Sequence, residues 1–179
     1  VARDKAQPGH FAVMYRTNAQ SRLLEEAFLK EGLPYRLLGA QRFYGRREIK
    51  DIIAYLRLIH NPQDELSLMR VINVPARGIG DKTYQGLRQH AGNLQMAPGL
   101  LLSEIGSKPD PALLEPFSGR AGAALQQFSQ LLSRWLAQKD DLAPLALMDR
   151  VIEDIDYPSY INDGTDEGND RWENVMELR

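Results

Sequence analysis

From Asp64 to the C-terminal end, every strong apolar pattern in this chain has a helical period, which restricts it to a mainly α fold. The clearest case runs over 120–138, where Ala124, Leu125, Phe128, Leu131, Leu132, Trp135 and Leu136 fall on one face of a single long helix. Shorter helices are predicted over 64–74, 82–91, 100–105, 142–155 and 172–178, with Pro75 and the Gly78-Ile-Gly80 turn as breaks. The connector 106–116 is rich in Pro, Ser and Asp. Residues 162–170 hold two Asn, four acids, two Gly and one Thr with no aliphatic or aromatic anchor, so they are expected to form a mobile loop.

The front of the chain reads differently. Phe11, Val13 and their neighbours predict a strand over 11–16; Asn18 is placed to cap a helix over 19–31; Gly32 stops that helix, and Pro34 precedes a second strand over 35–38. A helix over 46–60 follows, ended by Asn61-Pro62. The expected fold is therefore mainly α with a small N-terminal α/β portion, divided into 1–62 and 63–179. Two strands are too few for a complete doubly wound nucleotide-binding sheet.

Composition bounds the chemistry. The chain has 179 residues, 43% of them hydrophobic, enough for one or two modest cores. It has no cysteine and only His10, His60 and His90, widely spaced, so neither a disulfide framework nor a metal site is expected. No apolar run reaches the length of a membrane span, and Val-Ala-Arg-Asp-Lys at the start lacks a signal-peptide core, so no membrane partner and a cytoplasmic location are expected. Residues 1–90 carry 15 Lys/Arg against 9 Asp/Glu (+6), and 91–179 carry 7 against 15 (−8). The front half is the one suited to phosphates, although interspersed charge of this size also occurs on ordinary solvated helices.

Several clusters carry possible chemistry. Tyr15 and Arg16 end the first predicted strand, the usual place for a ligand in an α/β sheet. They are either a stacking face and a phosphate-binding fork or a core aromatic and a surface ion pair. Phe43-Tyr44 among Arg42, Arg46, Arg47 and Lys50 suits single-stranded nucleic acid, or else the aromatics plug the following helix onto the rest of the fold while Glu48 and Asp51 pair the cations.

The run Arg77-Gly78-Ile79-Gly80-Asp81-Lys82-Thr83 is not a P-loop, because Asp81 separates Gly80 from Lys82 and the upstream glycine is missing. It fits a helix–turn–helix hairpin whose glycines turn tightly and whose second helix opens at about Asp81. Its amides and flanking cations then suit a phosphate, or it is a plain connector. Val151-Ile-Glu-Asp-Ile-Asp156 mimics a magnesium-binding run but lies in a helical pattern, where its acids are expected to be solvated.

Tyr15-Arg-Thr-Asn-Ala-Gln-Ser-Arg22, Leu38-Gly-Ala-Gln-Arg-Phe-Tyr-Gly-Arg-Arg-Glu-Ile-Lys-Asp51, Ala54-Tyr-Leu-Arg57, Asn73-Val-Pro-Ala-Arg-Gly-Ile-Gly80 and Glu173-Asn-Val-Met-Glu-Leu178 closely resemble, in this order, the UvrD/PcrA/Rep family of superfamily 1 DNA helicases. The match is dense over 11–88 and thin after about residue 90 until the last motif. The resemblance implies a fragment of the motor's second half: 1–62 as part of the second RecA-like lobe and 63–179 as a helical insertion. It implies that Tyr15 stacks on adenine, that Arg16 is the catalytic, arginine-finger-like group, and that Arg77, Gly78, Ile79, Gly80, Lys82 and Thr83 contact duplex DNA, with Arg42 and Arg46 as further DNA contacts.

The implied parent uses ATP and Mg2+, translocates 3′ to 5′ along DNA at a single-strand/duplex junction, and needs a first RecA-like lobe that lies outside these residues. The fragment alone is then expected to bind nucleotide weakly and not to hydrolyse it. The alternative is a non-catalytic helical module for binding DNA or docking protein. A helicase-nuclease parent is less favoured, since no nuclease motif lies in these residues.

Overall fold

The computed structural model describes residues 7–16, 20–39, 42–108 and 110–179. Ten α-helices cross them: α1 Ser21–Lys30, α2 Arg47–His60, α3 Glu65–Val71, α4 Asp81–Asn93, α5 Pro98–Ser107, α6 Pro111–Leu114, α7 Gly119–Gln138, α8 Pro144–Asp154, α9 Tyr157–Ile161 and α10 Asp166–Leu178. Short 3-10 turns occupy Pro8–His10 and Phe43–Gly45. The chain forms two compact units, Val1–Lys50 with Ile161–Arg179, and Asp51–Tyr160. The sequence placed its boundary at 62/63, whereas the units change over at 50/51 and 160/161.

The mainly α expectation holds, but the N-terminal α/β portion does not. Residues 11–16 and 35–38 run without regular secondary structure, and no ladder joins them among the described residues. A strand exists by its hydrogen-bonded partner, and a β-prone segment without one keeps an irregular path. Phe11, Val13, Met14 and Leu38 are accordingly exposed. The proposed cap Asn18 lies outside the described residues.

In the second unit, α5 packs most extensively against α7. A Cβ on Gly106 would sit 2.1 Å from the Ser129 carbonyl oxygen, so only glycine allows the backbones this close, and Ser133 Oγ donates to the Ser103 carbonyl at 2.8 Å across the same contact. Leu101, Leu102, Ile105, Leu125, Phe128, Leu132 and Trp135 are buried, in line with the periodicity of 120–138. Tyr55 of α2 meets Trp135 edge to face at 5.7 Å. The Trp135 indole N–H donates to Asp154 at 2.8 Å, so an acid of the run 151–156 is spent on an internal bond and an ion pair with Arg134.

The loop expected over 162–170 is irregular only to Thr165, and from Asp166 it is helix α10. Thr165 caps α10 by accepting the Gly168 amide at 3.0 Å, and Asp166 and Glu167 fall in the first turn, where the helix dipole favours acids. The same polar residues that lack a hydrophobic anchor are thus a helix start, and Val175 downstream supplies the buried contact.

Candidate functional site

In the first unit, Tyr15 is half-buried and Arg16 exposed, and the Arg16 amide donates to the Gln20 side-chain oxygen at 2.9 Å. This bond ties the Arg16 backbone to the turn leading into α1 and leaves the guanidinium facing solvent. Arg22, in the first turn of α1, pairs with Glu26 at 2.9 Å and donates to the Glu177 carbonyl. The hydrogen bond from Arg22, then that from Tyr44, hold the Glu26 carboxyl below its usual range.

Arg46 departs from its expected DNA role. It is 6% exposed; its guanidinium donates to Asn174 Oδ1 at 2.5 Å and Ser21 Oγ at 2.8 Å and lies 5.3 Å from the centre of the Phe43 ring. The Ser21 hydroxyl donates to Glu25 at 3.0 Å, Glu25 also accepts the Phe43 amide and the Tyr35 hydroxyl, and Asn174 donates to Glu48 at 2.7 Å. Burial lowers the Arg46 pKa from its ordinary value. A buried cation whose donors serve a polar network holds helices together and cannot reach a phosphate without breaking that network. Phe43 is buried as a plug, whereas Tyr44 is half-exposed and donates to Glu26 at 3.0 Å. Arg42 remains exposed, 5.8 Å from the centre of the Tyr35 ring.

In the second unit, the hairpin 73–83 is built around two side chains. Asn73 Oδ1 accepts the Arg77 amide at 2.7 Å and the Ile79 amide at 3.2 Å, which folds the chain between them into a fixed turn. The Arg77 guanidinium points inward: it donates to the carbonyls of Val71 and Pro75 at 3.2 and 3.1 Å and to the Tyr55 hydroxyl at 2.8 Å, and lies 5.2 Å from the centre of the Phe128 ring. Tyr55 in turn donates to the carbonyls of Val71 and Val74, and burial pushes its pKa up to about 12. The expectation of an exposed, phosphate-facing Arg77 is therefore corrected, because backbone carbonyls in and just after the C-terminal end of α3 capture it.

Ile79 is 2% exposed and anchors the turn in the core rather than presenting a side chain outward. The left-handed position is Gly78, at φ +81°, and not Gly80, whose φ of −82° is open to any residue. Gly80 caps α4, and Lys82 stands exposed and Thr83 half-buried on its first turn beside the exposed Asp81. The surface therefore offers Gly78, Gly80, Lys82 and Thr83, while Arg77 and Ile79 hold it from behind.

Asn73 and Tyr55 were missed from sequence, since no local pattern marks a side chain that acts on backbone amides, as Asn73 does, or on backbone carbonyls, as Tyr55 does. Among the described residues no group of His, Asp and Glu is arranged to hold a metal, and no helix is long and apolar enough to cross a membrane.

A family model described as the UvrD-like helicase C-terminal domain matches residues 2–177. DNA helicase II of Salmonella typhimurium and of Escherichia coli are each 39% identical over 168 residues, covering 93% of this chain and 22% of the relative. The ATP-dependent DNA helicase PcrA of Bacillus subtilis is 35% identical over 175 residues, covering 97% of this chain and 23% of the relative. The chain thus spans less than a quarter of the length of these curated relatives.

Proposed function

Since the chain belongs to the UvrD-like helicase C-terminal domain family, we propose that it is the part of an ATP-dependent 3′–5′ DNA helicase that supplies one wall of the ATP cleft and a contact to duplex DNA. The observation that carries the duplex role is the braced turn: Asn73 fixes the amides of Arg77 and Ile79, Gly78 takes a conformation that keeps its surface bare, and Lys82 is exposed beside it. Such a turn can approach a phosphate backbone without reading sequence.

On the nucleotide side, the half-buried Tyr15 is suited to stack on a base, and the exposed Arg16, anchored through its amide rather than its guanidinium, is suited to reach a phosphate. ATP and Mg2+ are the cofactors of this reading; its partners are DNA at a single-strand/duplex junction and a P-loop-bearing lobe of the longer protein, for which residues 1–62 form one flank. The P-loop lysine and the magnesium-binding acids would come from that lobe.

Duplex binding measured by fluorescence anisotropy across a salt series tests the reading. Weak, sequence-independent binding with a steep salt slope is expected, and Lys82→Glu should flatten the slope. Duplex affinity unchanged by Lys82→Glu would leave the turn as a connector.

A further inference from the structure

Building on the proposed duplex contact, we infer that Arg120, on the first turn of α7, is a second phosphate-binding cation of this surface and fills the place that Arg77 leaves by turning inward. The segment leading into α7 runs along α4. Phe117 meets His90 edge to face at 6.1 Å and lies 3.3 Å from where a Cβ on Gly86 would stand. Three residues later, Arg120 Nε lies 3.9 Å from where a Cβ on Gly78 would stand. The guanidinium therefore lies over the bare face of the one left-handed residue in the turn.

Three features separate Arg120 from an ordinary surface arginine. It is exposed and has no hydrogen-bond or ion-pair partner among the described residues, a state it shares with Arg36, whereas Arg22, Arg70, Arg88, Arg134, Arg150 and Arg171 have carboxylates. It occupies the first turn of a 20-residue helix with no acid in that turn, the end at which the helix dipole disfavours a cation. It also sits against the turn whose other exposed cation, Lys82, belongs to a different helix. A cation held at an unfavourable helix end with no carboxylate to neutralise it is suited to an anionic partner. Two cations from different helices on one turn, Arg120 over Gly78 and Lys82 at the start of α4, suit a phosphate backbone, which offers charges in series, and a guanidinium can hold two oxygens of one phosphate.

The test uses the whole chain and a short, blunt, fluorescein-labelled DNA duplex of arbitrary sequence, with anisotropy read from low to high salt. The variants are Arg120→Ala, Arg120→Lys and Lys82→Ala, with Arg150→Ala as a control remote in sequence, and circular dichroism checks the fold of each. One phosphate contact contributes a log–log slope of about 0.9, which is roughly eightfold in affinity between 1 M and 0.1 M salt. Arg120→Ala is expected to lower the slope by about that amount and weaken binding by about that factor, equally on duplexes of different sequence. Arg120→Lys should restore the slope and Arg150→Ala should leave it unchanged. If Lys82→Ala flattens the slope while Arg120→Ala does not, the duplex surface stands and the assignment of Arg120 is overturned. If neither variant changes duplex binding, the duplex surface itself fails, and Arg120 with it.

Discussion

The Arg77 guanidinium donates to the Tyr55 hydroxyl at 2.8 Å, joining the hairpin to the middle of α2 across 22 residues of chain. The bond belongs to a closed set in which Tyr55 and Arg77 together satisfy carbonyls around the C-terminal end of α3. Removing the guanidinium takes a donor from the Pro75 carbonyl and from the Tyr55 hydroxyl in a half-buried site, while the Val71 carbonyl keeps the Tyr55 hydroxyl and the Val74 amide. Arg77→Ala should therefore lower stability by about 2 to 3 kcal/mol, and Arg77→Lys should recover only part of it, because an ammonium cannot span the same acceptors. Urea denaturation checks this, and a variant as stable as the parent would show Arg77 to be a free surface cation.

Tyr55 also sets a pH limit. Its folded pKa of about 12 lies above the ordinary tyrosine value of 10, chiefly through burial, so folding favours the neutral phenol. This contribution is fully present below pH 10 and is lost as pH rises from about 10 to about 12, at about 1.4 kcal/mol per pH unit. Tyr84, pushed to about 12 by burial and then by Glu65, acts in the same direction. Stability should fall steeply in that window, and Tyr55→Phe should be less steep by its own share while Tyr84 keeps the remainder. Equal alkaline slopes for parent and Tyr55→Phe would rule Tyr55 out as a source.

The two glycines of the turn should behave differently. Gly78 at φ +81° forces any β-branched residue into strain, of order 1 to 3 kcal/mol, so Gly78→Val should be clearly destabilising. Gly80 has an ordinary φ and nothing within 4 Å of an added Cβ, so Gly80→Val should cost no more than a modest loss at the helix cap. Thermal melting compares them, and a larger loss at Gly80 would contradict this backbone assignment.

How much of this was legible in the sequence depended on the range of the forces involved. The face of α7 and the burial of Ile49, Ile52 and Leu58 on α2 follow from periodicity, which is a local property. The start of α10 was hidden because Thr165-Asp-Glu serves equally as cap and as polar loop, and Val175 ten residues on decides between them. The strands at 11–16 and 35–38 fail because β propensity describes fitness for a sheet and does not supply the ladder. The directions of Arg46 and Arg77 were illegible for the same reason: Asn174 captures one and Tyr55 the other, and neither partner is near in sequence. Tyr15, Arg16 and Lys82 were open to proposal from the sequence because their roles rest on residue type and on the resemblance of the surrounding motifs, not on a partner distant in the chain.

Asp51 on α2 accepts from Arg70 at 2.7 Å and from the Tyr157 hydroxyl at 3.1 Å while itself only 2% exposed. Breaking a fully buried pair costs about 3 to 5 kcal/mol, but the Arg70 side chain is 35% exposed and water can take over part of its solvation. Asp51→Asn should therefore lose about 2 kcal/mol. In a double-mutant cycle with Arg70→Ala the two losses should not add, and strict additivity would show the pair to be uncoupled.

Arg16 offers the most direct test of the nucleotide wall, in a protein long enough to include the P-loop lobe. Arg16 is exposed and, among the described residues, its amide alone is engaged, so Arg16→Ala removes the charge and leaves the Gln20 bond to the backbone intact. If the cation acts on charge that develops as the γ-phosphate leaves, kcat should fall by about a thousandfold or more while the KM for ATP changes little. Arg16→Lys should rescue only a fraction, because a point charge cannot reproduce the planar fork. Tyr15→Ala should do the reverse, raising KM through the loss of a stacked ring worth about 1 kcal/mol and leaving kcat nearly unchanged. The chain of 179 residues by itself should show no ATP turnover in the same assay. Small and equal effects of Arg16→Ala on kcat and KM would make it an ordinary surface arginine and remove the nucleotide wall from the proposed function.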